Sequence, residues 1–165
     1  MIDAATHAAV FLAALIGMEG VAWLTHRYVM HGPLWVLHKS HHEPHDGGFE
    51  RNDLFGLGFA AIAVALFAYG TRPGWDIAWW AGCGMTAYGA LYAMVHDSLV
   101  HRRWPGPLRP RGRYLRRLVQ AHRLHHAVTT KAGAVSFGFL IPGDITRLRA
   151  TLRENMRVAA TTGPA

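Results

Sequence analysis

Ten histidines in two matching sets dominate the chemistry that this sequence can do. The first set is His26 and His31, followed by His38, His41 and His42. The second is His96 and His101, followed by His122, His125 and His126. Each set reads H-x4-H and then H-x2-H-H; of the twelve histidines only His7 and His45 lie outside. Neutral imidazole is a ligand for iron, zinc and copper. One metal cannot use ten imidazoles, whereas two metals with four or five ligands each can. A structural zinc site closes at four ligands, which two such sets exceed. Cys83 is the only cysteine, so an intrachain disulfide and a thiolate metal site are both excluded.

The spacings constrain the elements that carry these rings. His38, His41 and His42 sit at i, i+3 and i+4, one face of a short helix. The i, i+5 spacing of His26 and His31 sets two rings well apart around an ideal helix. That pair can flank one metal or serve two. Gly32-Pro33 then ends the helix. Asn52-Asp53 reads as the N-terminal cap of the next helix, and His45, without a repeated partner, reads as a surface histidine.

Between the histidine sets the chain is strongly apolar. It is 51% hydrophobic and yet carries a formal charge of +7, so apolar and basic residues must be segregated. Three apolar runs stand out: 8–24, 55–71 and 75–95. A helix of about 20 residues spans the ~30 Å bilayer core. The first run is short but extends back toward Ile2. Met1-Ile2-Asp3 lacks the basic start of a signal peptide. Trp75, Trp79 and Trp80 cluster at one end of the third run, as an interfacial aromatic belt would. Residues 109–123 are rich in arginine and form an amphipathic helix that leads into His122, His125 and His126. Residues 144–158 read as a last amphipathic helix, with fraying expected from Ala159. The apolar stretch 135–141 is too short to span; it lines a pocket or dips into the interface.

Three crossings put all four histidine boxes on one side. Of the 17 Lys and Arg residues, 16 fall on that side and only Arg72 on the other. Cytoplasmic loops carry the Lys/Arg excess. The pattern therefore predicts an all-α integral membrane protein with about three transmembrane helices, four being the alternative count. Cytoplasmic helices carrying the histidine boxes cap it, in one membrane-embedded domain over residues 1–165. The location is the inner cell membrane, multi-pass, with the C-terminus cytoplasmic. No nucleic-acid partner is expected, and homo-oligomerisation stays open.

A metal transporter would hold its ligands near the bilayer midplane. Here they lie at helix ends, which suits a two-metal redox centre acting on a lipid-soluble substrate. Iron fits best, because nitrogen sites with an open position support oxygen activation; zinc and copper stay open. Two carboxyls are candidates for supporting roles. Glu19 shares a helix face with Trp23 and His26, so it can accept a hydrogen bond from a metal-bound histidine. The alternative is a carboxyl that burial keeps neutral. Asp97 follows His96 and can orient a ligand or relay protons; the alternative is a surface charge paired with Arg102 or Arg103.

The series of boxes resembles the membrane fatty-acid hydroxylase and desaturase superfamily. The wording HRYVMHG, HKSHHEPHDGGFERNDL, GMTAYGALYAMVHDSLVHRRWP and AHRLHHAV with GAVSFGFL resembles the bacterial β-carotene 3-hydroxylases more narrowly, over about residues 15–150. Ser98 departs from it, since glycine is expected there. The resemblance implies a non-haem di-iron monooxygenase with two Fe2+ ions, O2 as co-substrate and electrons from reduced ferredoxin. It implies hydroxylation at carbon 3 of carotenoid β-ionone rings, taking β-carotene to β-cryptoxanthin and zeaxanthin. The ten box histidines carry over as iron ligands. Fatty-acyl or sterol hydroxylases and desaturases, a carotenoid ketolase and a metal-transport protein are the rival readings. The basic face can dock an acidic donor such as ferredoxin or bind anionic lipid headgroups. Trp23, Tyr28, Trp35, Tyr92, Phe137 and Phe139 are candidates to line a channel for a rigid polyene, against a reading as plain packing.

Overall fold

The computed structural model describes residues 3–44, 48–104 and 108–162, so His45 lies outside the described residues. Every regular element in it is helical. Helix α1 is Ala4–Leu24 and continues into a π-helical turn, Thr25–Met30. The short α2 is Trp35–His42 and α3 is Asp53–Gly70. Helix α4, Asp76–Tyr92, runs into a second π-helical turn, Ala93–Val100. Helices α5, Gly112–His125, and α6, Ile145–Thr162, complete the chain.

The packing order makes α4 the spine. Helices α1 and α3 each pack along α4 rather than against each other. His7 is bonded to Asp76 at 2.7 Å, and Glu19 to Tyr88 twelve residues further along both helices. Helix α1 therefore runs parallel to α4. At their crossing, a Cβ on Gly84 would stand 2.4 Å from Phe11 O and 2.8 Å from Ala14 Cβ, so only glycine permits this approach. Helix α3 is antiparallel: Gly70 abuts Trp79, and Leu66 and Phe67 abut Gly82. Because α1 and α4 are parallel, both deliver an H-x4-H box to the same end of the bundle.

Among the described residues, two helices are long and apolar enough to cross a membrane, Ala4–Met30 and Asp53–Gly70. Their apolar side chains face outward, with Ile16 71% and Val64 65% exposed. Helix α4 has 17 residues, just short of the ~20 that a crossing uses. Two of the three expected spans thus qualify among the described residues, and α4 with its π-helical continuation, which carries Asp76, His96 and Asp97, does not.

Helix α5 is amphipathic as expected. Its Leu118 and Val119 bury against Val95 and Leu99 of the second π-turn, each such side chain contributing about 1.5–3 kcal/mol, while Arg113, Arg116 and Arg117 face outward. Helix α6 extends to Thr162, past the residues expected to fray, and packs through Leu148 and Leu152 on Val128, Val135 and Phe137.

Candidate metal centre

The π-turns resolve the i, i+5 spacing. His31 N–H donates to His26 O at 3.0 Å and His101 N–H to His96 O at 2.9 Å. Such i→i+5 bonds define the π-helix, which often marks functional positions. Widening the turn by one residue brings residue i+5 back over residue i. The ring centroids of His26 and His31 are 5.4 Å apart, and those of His96 and His101 4.4 Å.

The ten rings gather in two clusters. In site 1, Nε2 of His38 is 3.2 Å from Nε2 of both His26 and His42, and Nε2 of His125 is 3.2 Å from that of His31 and 3.1 Å from that of His42. In site 2, Nε2 of His41 is 3.0 Å from that of His96, and Nε2 of His122 is 3.0 Å from that of His101 and 2.8 Å from that of His126. Four potential ligand atoms in each cluster lie within 4.8 Å of one another. Each H-x2-H-H box divides between the sites. Its first and third histidines, at i and i+4, serve the site of their own half. The middle one, about 100° around the helix from its neighbour, crosses over: His125 joins site 1 and His41 joins site 2.

The opposite nitrogens fix the tautomers. The Nδ1–H groups of His26, His31, His42 and His125 donate to backbone carbonyls of Phe137 (2.9 Å), Lys131 (2.9 Å), Val128 (2.7 Å) and Val135 (3.0 Å). His38 donates to Asn52 Oδ1 at 2.6 Å. His41 and His96 donate to carboxylates, Glu50 at 2.7 Å and Asp97 at 2.8 Å. A neutral ring that spends its proton on Nδ1 has a bare lone pair on Nε2. Seven rings thus aim lone pairs inward, and no proton stands between them. Nitrogens bound to one metal at about 2.1 Å would lie about 3.0–3.4 Å apart at octahedral to tetrahedral angles. The observed 2.8–3.2 Å fits a common cation at each site.

Burial keeps these rings neutral, as ligation requires. It lowers His38 to about 3, His42 to about 4 and His126 to about 2. Burial first, and neighbouring imidazoles second, hold His41, His96, His122 and His125 well below the usual range.

The supporting residues differ in part from expectation. Glu19 does not reach a histidine among its described bonds. Its Oε1 accepts backbone N–H groups of Phe139, Leu140 and Ile141 at 2.9–3.0 Å, and its Oε2 accepts from Tyr88 Oη. It anchors the strap 134–141, whose Val135 and Phe137 carbonyls hold His125 and His26. Gly138 makes room for it, since a Cβ there would stand 2.9 Å from Glu19 Oε1. Asp97 takes the His96 proton and also lies 3.6 Å from Arg103, which bonds Asp53 at 2.7 and 2.8 Å. Burial raises the Asp97 carboxyl, with Arg103 opposing. Asn52 does not cap α3 with its side chain; that side chain is committed to His38. Buried Ser98 accepts from Leu108 N–H at 3.3 Å. Of the six aromatic candidates, Phe139 stacks on His26 at 5.1 Å and Tyr92 on His96 at 4.6 Å. Phe137 and Trp35 pack against site 1, while Trp23 and Tyr28 pack edge-on against each other.

Glu50, Asn52 and the four backbone carbonyl acceptors are what sequence reasoning missed. Glu50 and Asn52 lie in the wording FERND just after a histidine box, which was the available signal. Backbone carbonyls leave none. A cavity of about 310 Å³ opens on site 2 between His41, His101, His122 and His126, with Arg123 at its edge.

A buried pair of all-imidazole clusters at one end of a helical bundle offers ligand atoms for a metal ion at each. The chain belongs to the fatty acid hydroxylase family, whose model matches residues 11–144. It is 53% identical to a β-carotene hydroxylase of Pantoea ananas over 90% of this chain and 84% of that protein. It is 54% identical to one from Pseudescherichia vulneris, over 88% and 82% respectively. It is also 42% identical to β-carotene 3-hydroxylase 1, chloroplastic, of Arabidopsis thaliana, over 83% of this chain and 45% of that protein. No solved structure matches.

Proposed function

We infer that this chain is a membrane-bound di-iron monooxygenase that hydroxylates carbon 3 of carotenoid β-rings. The observation that carries the reading is the pair of inward-facing imidazole clusters on a chain about half identical to bacterial β-carotene hydroxylases. When bound, two ferrous ions supply the reduction of O2: one oxygen atom enters a C–H bond and the other leaves as water, consuming two electrons and two protons.

The chain's own residues do the rest. The four backbone carbonyls, Asn52 and the carboxylates of Glu50 and Asp97 hold the Nδ1 protons of seven rings and so aim their Nε2 atoms inward. Phe137, Phe139 and Tyr92 exclude water from the membrane side of the rings. Arg103 fixes Asp97 and Asp53 together. No side-chain nucleophile is needed.

A reading of three crossings, by α1, α3 and α4, would put the N-terminus outside and the histidines in the cytoplasm, and the Lys/Arg excess supports it. Electrons then arrive from the cytoplasmic side, where the opening beside Arg123 faces an acidic donor such as reduced ferredoxin. The test is expression in cells that accumulate β-carotene, followed by chromatography and mass spectrometry. One added oxygen per ring with no hydrogen lost, co-eluting with zeaxanthin, is the expected result. Oxygen gained with two hydrogens lost per ring would make it a ketolase. Unchanged β-carotene beside folded, iron-loaded protein and a competent donor would overturn the reading.

A further inference from the structure

Helices α1 and α3 both lean on α4 without packing on each other, and the gap between them is a cavity of about 650 Å³. That volume is in the range of sites for single organic ligands. Helix α3 lines it with a stripe at every fourth position, Phe55, Phe59, Ala63 and Phe67, facing Met18 and Ala22 of α1. From Phe55 to Phe67 the stripe runs on the order of 18 Å at 1.5 Å per residue. The cavity is thus a long groove along the helix axes. Val64, on its rim, is largely exposed, so the groove opens sideways, toward lipid if these helices span.

The two ends of the groove differ. The deep end, at Phe67 and Met85, is apolar. The other end meets Asn52, Asp53 and Asp97, the residues that hold His38 and Arg103 and His96. There Tyr92 and Phe139 both line the groove and stack on His96 and His26. The same two side chains thus touch both the groove and a histidine of each site.

We propose that the groove between α1 and α3 is the carotenoid site, holding one β-ring against the Tyr92–Phe139 wall with the adjoining polyene along the α3 stripe. A rigid, straight, apolar rod needs a straight apolar groove with a side entrance, and this is the only end of it that touches the residues around the histidines. The proposal rests on the hydroxylase reading above.

Gly56 and Gly89 line the groove, and a Cβ at either meets nothing within 4 Å. Gly56→Leu and Gly89→Leu therefore fill the groove without a clash. Gly20→Leu, equally unopposed but off the groove, is the control. Each holoprotein is purified from cells accumulating β-carotene. Pigment held per chain, metal per chain and hydroxylated product are then measured. The two groove variants are expected to hold and convert at least tenfold less carotenoid with the metal of the wild type, and Gly20→Leu to match the wild type. Groove variants that hold pigment as the wild type does, with or without turnover, would overturn the proposal. Wild-type protein that holds pigment in a Gly89-dependent way yet makes no hydroxylated product upholds the groove and overturns the hydroxylase reading. If it neither holds nor converts carotenoid, both fall.

Discussion

Sites 1 and 2 have the same inward face and different outer ones. Each gathers five imidazoles, four from one half of the chain and one crossing from the other. Among the described residues, those behind site 1 are neutral acceptors: four backbone carbonyls and the Asn52 amide oxygen. Behind site 2 stand two carboxylates, Glu50 and Asp97, with Arg103 tying them to Asp53. A carboxylate behind a ligating histidine raises its basicity and favours the more highly charged metal. Two sites built from one repeated motif are therefore electronically unequal. The opening at Arg123 is lined by four site 2 histidines and, from site 1, by His42. The difference teaches that a duplicated ligand pattern specifies coordination, while the environment behind it specifies what each metal does.

The crossover makes the largest prediction. His125→Ala should strip metal from site 1 and His41→Ala from site 2, each against its position in the sequence repeat. Each should lower product by at least about 100-fold, beyond the effect of losing an outer partner. Anomalous scattering at the iron edge, or cryo-microscopy of the variants, locates the remaining metal. Loss of site 2 metal in His125→Ala would break the pairing. Next comes the charge difference. Asp97→Asn keeps an acceptor for His96 but removes the carboxylate, so metal affinity or turnover should fall about 10–100-fold. Asn52→Asp adds a carboxylate behind His38 and should make the two Mössbauer signals more alike. Signals that are indistinguishable in the wild type would remove the basis of the comparison.

Acid has a smaller, graded effect. In metal-free protein, His38 and His42 are held at about 3 and about 4, below the ordinary value near 6.5. The unfolded chain binds protons below about 6.5 while the folded chain does not. Stability is therefore lost as pH falls from about 6.5 toward 4, by about 1.4 kcal/mol per pH unit for each such ring. Thermal melts across that window should show the decline, and bound metal should flatten it. Smallest is Ser98→Gly, which removes the acceptor for Leu108 N–H. It should cost about 1 kcal/mol or less and leave the ratio of mono- to dihydroxylated product unchanged by chromatography.

Much of the site was legible because ligand chemistry is local in sequence. The i, i+4 pairs His38–His42 and His122–His126 stay together for the helical reason that their spacing implies. The apolar runs were equally legible, since α1 and α3 are apolar around most of their surface. What escaped was phase and partnership. The pairing of His26 with His31 depends on a π-turn, and no residue type announces the extra residue in that turn. Asn52 reads as a helix cap, but a buried imidazole 2.6 Å away is the stronger claimant for its oxygen. Glu19 sits on the same helix face as His26, yet three backbone N–H groups of the strap take one carboxyl oxygen and Tyr88 the other. Leaving the buried Phe139 N–H unpaired would alone cost about 1–3 kcal/mol, which is why the strap wins over the histidine.

By itself the sequence determined the donor set, its division into two repeats, the helical class and the segregation of charge, because these follow from residue type and local period. Only the tertiary structure decided which five rings meet, which site is backed by charge, and where a groove reaches them. Those depend on the parallel packing of α1 with α4 and on contacts up to 122 residues apart, which no local pattern encodes.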